Sequence, residues 1–139
     1  MDSANENQAC AICRILKSGK IFGEIARTEY FLIRHSEPEK KLPGYLYIEP
    51  FRHLENYTEW TTQEFLDFGK ALQKASAWIY SKYSPKKVYT VSIAEKVPHM
   101  HFHLVPRYEE LKGPEYIRLA LDGLLEPPAG IPFPNLETE

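Results

Sequence analysis

The segment "PHMHFHLVPR", Pro98–Arg107, carries histidines at alternate positions, His99, His101 and His103, with Met100, Phe102 and Leu104 between them. On an extended chain, side chains two apart share a face, so the imidazoles line up at steps of roughly 6.6–6.8 Å. The apolar set turns to the opposite face, where it can pack under a helix while the imidazoles look into a cleft. A half-buried strand normally shows Thr, Lys or Glu on its open side. Gathering three of the chain's five histidines there points to chemistry. Imidazole binds a metal, shuttles a proton or attacks an electrophile near neutral pH. A row of three suits a metal, since H-x-H on a strand chelates one ion. It equally suits a phosphoryl centre, where one neutral ring attacks and its neighbour donates hydrogen bonds to charged oxygens. Spacing alone does not choose.

Working outward, "KVYTVSIA" at residues 87–94 reads as a second strand, joined to the histidine strand at 100–106 by a short link. The strongest helix signal starts at Thr61, with Glu64 three residues on in the capping-box arrangement. Phe65, Phe68, Leu72, Ser76 and Ile79 follow at spacings of three and four and predict a core-facing stripe, and Pro85 sets the end. "IFGEIARTEYFLIR" at 21–34 predicts two short strands with a turn near Thr28 and Glu29, and "GYLYIEP" at 44–50 a third. The Pro-, Gly- and charge-rich stretch between them, residues 35–44, is expected to be a loop, with His35 solvated at its start. A weaker helix is expected from Pro114 to about Leu125. Residues 1–8 are expected to be loose, and 126–139 to form an irregular Pro-rich tail. Five strands without βαβ alternation predict an α+β fold: a mainly antiparallel five-stranded sheet with one long and one shorter helix.

With 139 residues, 43% hydrophobic and 26% charged, the chain reads as one domain with a genuine core. A formal net charge of -2 argues against a nucleic-acid polymer as partner, so a phosphate ligand must be held by placed groups. Nothing approaches a membrane span or a signal peptide, and the expected location is the cytoplasm. Cys10 and Cys13 are too few for a disulfide scaffold and read as a metal or redox pair. A thioredoxin-type pair is disfavoured, because no strand precedes it and no βαβ unit follows.

The run His99-Met100-His101-Phe102-His103-Leu104-Val105 resembles the signature of the histidine triad (HIT) superfamily of nucleotide hydrolases and transferases. "CAICRIL", "GYLYIEPFRHLENY" and "VPHMHFHLVPRY" stand in that family's order and at about its spacing, so the resemblance spans roughly residues 10–108. It implies His101 as a nucleophile toward the α-phosphorus of a nucleotide or dinucleotide, giving a nucleotidyl-imidazole that water resolves. His103 is implied as a donor to the phosphate oxygens, with the backbone around His99 holding the His101 ring. The scheme needs an uncharged His101, so activity is expected to fall in acid. A zinc-bearing branch of the superfamily further implies Cys10, Cys13, His53 and His99 as ligands of a closed, structural zinc. Related proteins are homodimers, with the long helix and a sheet edge near the partner.

Two departures bear on substrate. The stretch before the triad, "SIAEKVPH", is shorter than in many members and leaves Ser92 and Lys96 as the expected phosphate contacts. The acidic residue that commonly grips the ribose is absent after "FL", where Ile33, Arg34 and His35 stand. Ile12, Ile15, Phe22 and Ile25 fall where the base pocket would lie, or serve simply as core. The readings to be separated are a hydrolase, a transferase or phosphorylase of the same superfamily, a non-catalytic nucleotide-binding adaptor, and a site where all three histidines ligate a catalytic metal.

Overall fold

In a computed structural model, which describes residues 10–19 and 21–136, five strands form one antiparallel sheet. The loose segment expected at 1–8 and the last residues of the tail, 137–139, lie outside the described residues. The elements run α1 (Ala11–Lys17), β1 (Glu24–Arg27), β2 (Phe31–His35), β3 (Leu46–Pro50), α2 (Thr62–Tyr83), β4 (Lys87–Val91), β5 (Phe102–Arg107) and α3 (Gly113–Leu121). The sheet order is β1-β2-β3-β5-β4, with every neighbouring pair antiparallel. The long connection through α2 carries the chain from β3 to the outer strand β4, which then pairs back onto β5.

The register decides what each face holds. Ile33, Ile48 and Phe102 lie in one row, and Leu46 with Leu104 in the next. These residues, with Met100, Leu54, Trp60 and the α2 residues Ala71, Ala75 and Ile79, form the main core. Met100, Phe102 and Leu104 therefore pack under the long helix, as the alternation predicts. The opposite face carries the row Arg34, Tyr47 and His103. Its far end is covered by α3 through Tyr45, Val105, Tyr116 and Ala120.

Helix α2 begins as its capping box dictates. Thr61 Oγ1 accepts from the Glu64 N–H at 3.1 Å, and Glu64 Oε1 accepts from the Thr61 N–H at 2.8 Å. The buried stripe is nevertheless offset from the predicted one. Glu64, Asp67, Ala71, Ala75 and Ile79 face inward, whereas Phe65 is 46% exposed. The small Ala71 and Ala75 allow close approach to the sheet, and the two carboxylates are drawn in by partners. Arg52 makes a forked pair with Glu64 at 2.9 Å, and Asp67 accepts from Thr28 Oγ1 at 2.6 Å and the Tyr30 N–H at 2.8 Å. Phe68 and Leu72 flank the core.

Other boundaries are shorter than expected. Strand β4 ends at Val91, and the chain then passes through Ala94 in the left-handed region at φ 54°. β5 starts at Phe102, and α3 stops at Leu121, two residues before Gly123 at φ 69°.

His35 overturns its expected solvation: it ends β2 fully buried. Its Nδ1–H donates to the Ser36 carbonyl at 2.9 Å, and its Nε2 accepts the Gly44 N–H at 2.8 Å, closing the base of the intervening loop. Gly44 sits at φ 87°, where a Cβ would lie 3.0 Å from the Tyr83 ring and 3.1 Å from the Tyr108 hydroxyl. Trp78 and Phe133, the latter from the irregular tail, meet the imidazole edge-on. Burial pulls the His35 pKa down to about 4, against the Ser36 bond that favours the charge. Unfolded, the ring takes up its proton near its ordinary value, about 6.5. As pH falls through that value the unfolded chain gains a proton that the folded chain refuses, so stability is full above it and drains away toward the folded value. Urea unfolding is expected to show that the wild type loses about 2 kcal/mol more than His35→Gln between pH 7.5 and about pH 5. Equal losses in the two proteins would remove His35 from that account.

Candidate functional site

The open end of the α3-covered face forms a cleft of about 210 Å³ beside α1, lined by Ala11, Ile12, Ile15, Arg34, Glu37, Tyr47, Glu49, Val97, His101 and His103. Two predicted base-pocket residues, Ile12 and Ile15, reach it. Ile25 instead packs against the main core, and Phe22 is exposed.

His101 and His103 stand side by side with ring centroids 5.1 Å apart, both half-buried. Their partners differ in kind. His101 Nδ1 lies 2.9 Å from the His99 carbonyl, which only accepts, so Nδ1–H donates and the neutral form of the ring has its lone pair on Nε2. His103 Nδ1 lies 2.7 Å from the Tyr45 hydroxyl. Burial, helped by the neighbouring His101, Lys40 and Arg34, lowers the His103 pKa to about 4, so the ring is neutral at physiological pH.

Beside the imidazoles, Arg34 makes a forked pair with Glu49, both contacts at 2.9 Å, and its guanidinium lies 4.7 Å from the centre of the Tyr47 ring. Tyr47 donates to Glu37 Oε1 at 2.7 Å. Burial opposes the Glu37 charge, but the Tyr47 bond, its own backbone N–H and the Lys40 and Arg34 charges outweigh it, holding the carboxyl below its usual range. The position where a sugar-gripping acid was expected thus holds a cation committed to Glu49, and Glu37 supplies a cleft carboxylate that suits hydroxyl groups. Glu37 and Glu49 escaped the sequence reading because long-range partners, Tyr47 for Glu37 and Arg34 for Glu49, hold them at the cleft rather than any local pattern.

The expected phosphate contacts are less engaged. Ser92 Oγ donates to the His101 carbonyl at 2.9 Å, which buttresses the strand rather than offering a proton to the cleft. Lys96 is exposed on the link before the triad and is not among the cleft-lining residues.

The third histidine turns elsewhere. Cys10, Cys13, His53 and His99 are all buried, and their ligand atoms lie within 4.8 Å of one another. Cys13 Sγ is 3.3 Å from His53 Nδ1 and 3.4 Å from His99 Nδ1. Each ring commits its other nitrogen to an acceptor, His53 Nε2 to Glu55 at 2.7 Å and His99 Nε2 to the Pro50 carbonyl at 2.8 Å. Both Nδ1 lone pairs therefore point at the thiols. A tetrahedral zinc with two sulfur and two nitrogen ligands has donor–donor edges of roughly 3.3–3.8 Å, so the cluster fits that ion after small adjustments. Cys10 also caps α1, its Sγ accepting from the Cys13 N–H at 3.4 Å. This short helix went unread in the sequence; its signal was Cys10, Cys13 and Leu16 at steps of three. Because the His99 ring faces this cluster, the three imidazoles do not converge on one ion.

The HIT domain model matches residues 22–110, and the chain belongs to the HIT family. An uncharacterized HIT-like protein of Methanocaldococcus jannaschii is 23% identical over 104 residues, covering 72% of this chain and 80% of its own. Among solved structures, a hypothetical histidine triad nucleotide-binding protein from Sulfolobus tokodaii matches with a TM-score of 0.61 at 18% identity, over 83% of this chain and 89% of its own. A Zn-bound histidine triad family protein from Mycobacterium smegmatis matches with a TM-score of 0.58 at 20% identity, over 84% and 93%. These structural likenesses establish the fold.

Proposed function

We propose that this chain is a zinc-containing HIT hydrolase acting on a nucleotide with a leaving group on its α-phosphate, a dinucleoside polyphosphate or a nucleoside phosphoramidate, and releasing a nucleoside monophosphate. The observation that carries the reading is the hydrogen bond that orients His101: its Nδ1–H is spent on the His99 carbonyl, so the lone pair of the neutral ring is on Nε2. That nitrogen bonds to the α-phosphorus as the bond from phosphorus to the leaving oxygen or nitrogen breaks, the leaving group taking a proton from solvent. Water then displaces the imidazole from phosphorus, freeing His101 and the monophosphate. His103 stabilises the phosphate oxygens by hydrogen bonding, and its low pKa keeps that ring itself uncharged beside the nucleophile. A plain binding module has no need of a ring held this way.

Cys10, Cys13, His53 and His99 would hold the zinc, and four protein donors close its sphere, so its contribution is a structural crosslink rather than a substrate site. The nucleotide and zinc assignments draw support from the relatives described above. The same proposal takes the whole chain as one unit working as a homodimer. The edge position of β4 and the exposed Leu66 and Tyr80 on α2 support this, and sedimentation equilibrium is the measurement that decides it. Among the described residues no helix is long and apolar enough to cross a membrane.

Quenching a turnover mixture in alkali and mapping adducts by mass spectrometry is expected to place a nucleotidyl group on His101. Product formed with no adduct there removes the covalent route. Product that acquires phosphate when phosphate is added selects the transferase chemistry instead.

A further inference from the structure

The roles assigned to the two cleft imidazoles require opposite protonation, and the backbone accounts for only one of them. At His103 the partner is a side chain from another strand. Tyr45 follows Gly44 at the head of β3 and is fully buried against Tyr47 and the α3 core. Its hydroxyl lies 2.7 Å from His103 Nδ1, and the two rings meet at 60°. Two proton arrangements are conceivable for that bond. If His103 donated, the phenolic hydrogen would need a second acceptor, and among the described residues the hydroxyl has His103 alone as its hydrogen-bond partner. If Tyr45 donates, the phenol is satisfied and the imidazole proton resides on Nε2. Burial, with the Glu37 and Asp122 charges, pushes the Tyr45 pKa up, so the phenol retains its proton.

We propose that Tyr45 is a positioning residue: by donating to His103 Nδ1 it fixes both the tautomer and the ring orientation of His103, so that an N–H rather than a lone pair faces the cleft. The inference deepens the hydrolase reading, since a donor at His103 is what developing charge on phosphate oxygens requires. It also explains how neighbouring rings two residues apart acquire opposite protonation: one is paired to a carbonyl, the other to a hydroxyl.

The first test needs no variant. Nitrogen NMR of the histidine-labelled wild-type protein is expected to show His103 protonated on Nε2 with a hydrogen-bonded Nδ1; a His103 protonated on Nδ1 overturns the proposal. Tyr45→Phe, nearly isosteric, is expected to shift the His103 Nδ1 resonance toward its unbonded position. It is also expected to lower kcat roughly tenfold while KM changes much less. A variant that folds with unchanged His103 nitrogen signals, or with kcat within about twofold of wild type, also overturns it. The NMR readout stands whether or not the protein turns over nucleotides, so failure of the hydrolase reading and failure of the Tyr45 inference are separable.

Discussion

Replacing His101 with alanine is expected to reduce turnover by about ten-thousandfold while leaving the affinity for a nucleoside monophosphate nearly unchanged. The size follows from losing the group that forms the bond to phosphorus, which forces a single, harder displacement by water. Affinity survives because Ile12, Ile15, Tyr47 and Glu37 of the remaining cleft are built on other segments, and His103 is held by Tyr45 from outside its own strand. Substitution should also disturb the fold little, since His101 is half-buried outside the main core and its backbone carbonyl still accepts from Ser92. Steady-state kinetics with calorimetric binding separates the readings. Wild-type protein that binds nucleotide and never turns it over is an adaptor; a variant that keeps a tenth or more of the activity would sink His101 as nucleophile.

The second large effect concerns the Cys2His2 cluster. Protein isolated from zinc-replete cells is expected to carry one zinc per chain, and Cys13→Ser or strong chelation to strip it. The thermal midpoint is then expected to fall by roughly 10 °C. The loss should be local in origin. The two larger cores do not include Cys10, Ile12 or Cys13, which form a small cluster of their own with Leu16 and Val97. Without the metal, α1 is held mainly by that patch, so hydrogen exchange should rise first at residues 11–17. Since Ala11, Ile12 and Ile15 wall the cleft, nucleotide affinity should weaken in parallel. Zinc content near zero in the wild-type protein, or exchange unchanged along α1 after stripping, would discard the assignment.

Some features of the fold were plain in the sequence because they are local. The alternation around His101 requires only the two-residue period of a strand, and the Thr61 and Glu64 pairing requires only one helical turn. The phase of α2 was misread for a long-range reason. Counting apolar residues favoured Phe65, but Arg52 and the β1–β2 turn pull Glu64 and Asp67 inward. His35 was misjudged in the same way. Its neighbours Ser36, Glu37, Glu39, Lys40 and Lys41 make a polar stretch, while its burial comes from Trp78 and Phe133, far along the chain.

By itself, the sequence determined the α+β architecture and the direction in which His101 and His103 point, because residue spacing and type specify these, whereas the donor set Cys10, Cys13, His53 and His99 came only as what the family resemblance implied. Only the tertiary structure decided that the ligand atoms of Cys10, Cys13, His53 and His99 gather within 4.8 Å, that Glu37 and Glu49 join the cleft, and which partners His101 and His103 meet at Nδ1. An imidazole has two nearly equivalent neutral forms, and which one prevails is set by the partner at its other nitrogen. The partner of His101 is a carbonyl two residues away; that of His103 is a hydroxyl from Tyr45, delivered by the pairing of β3 with β5.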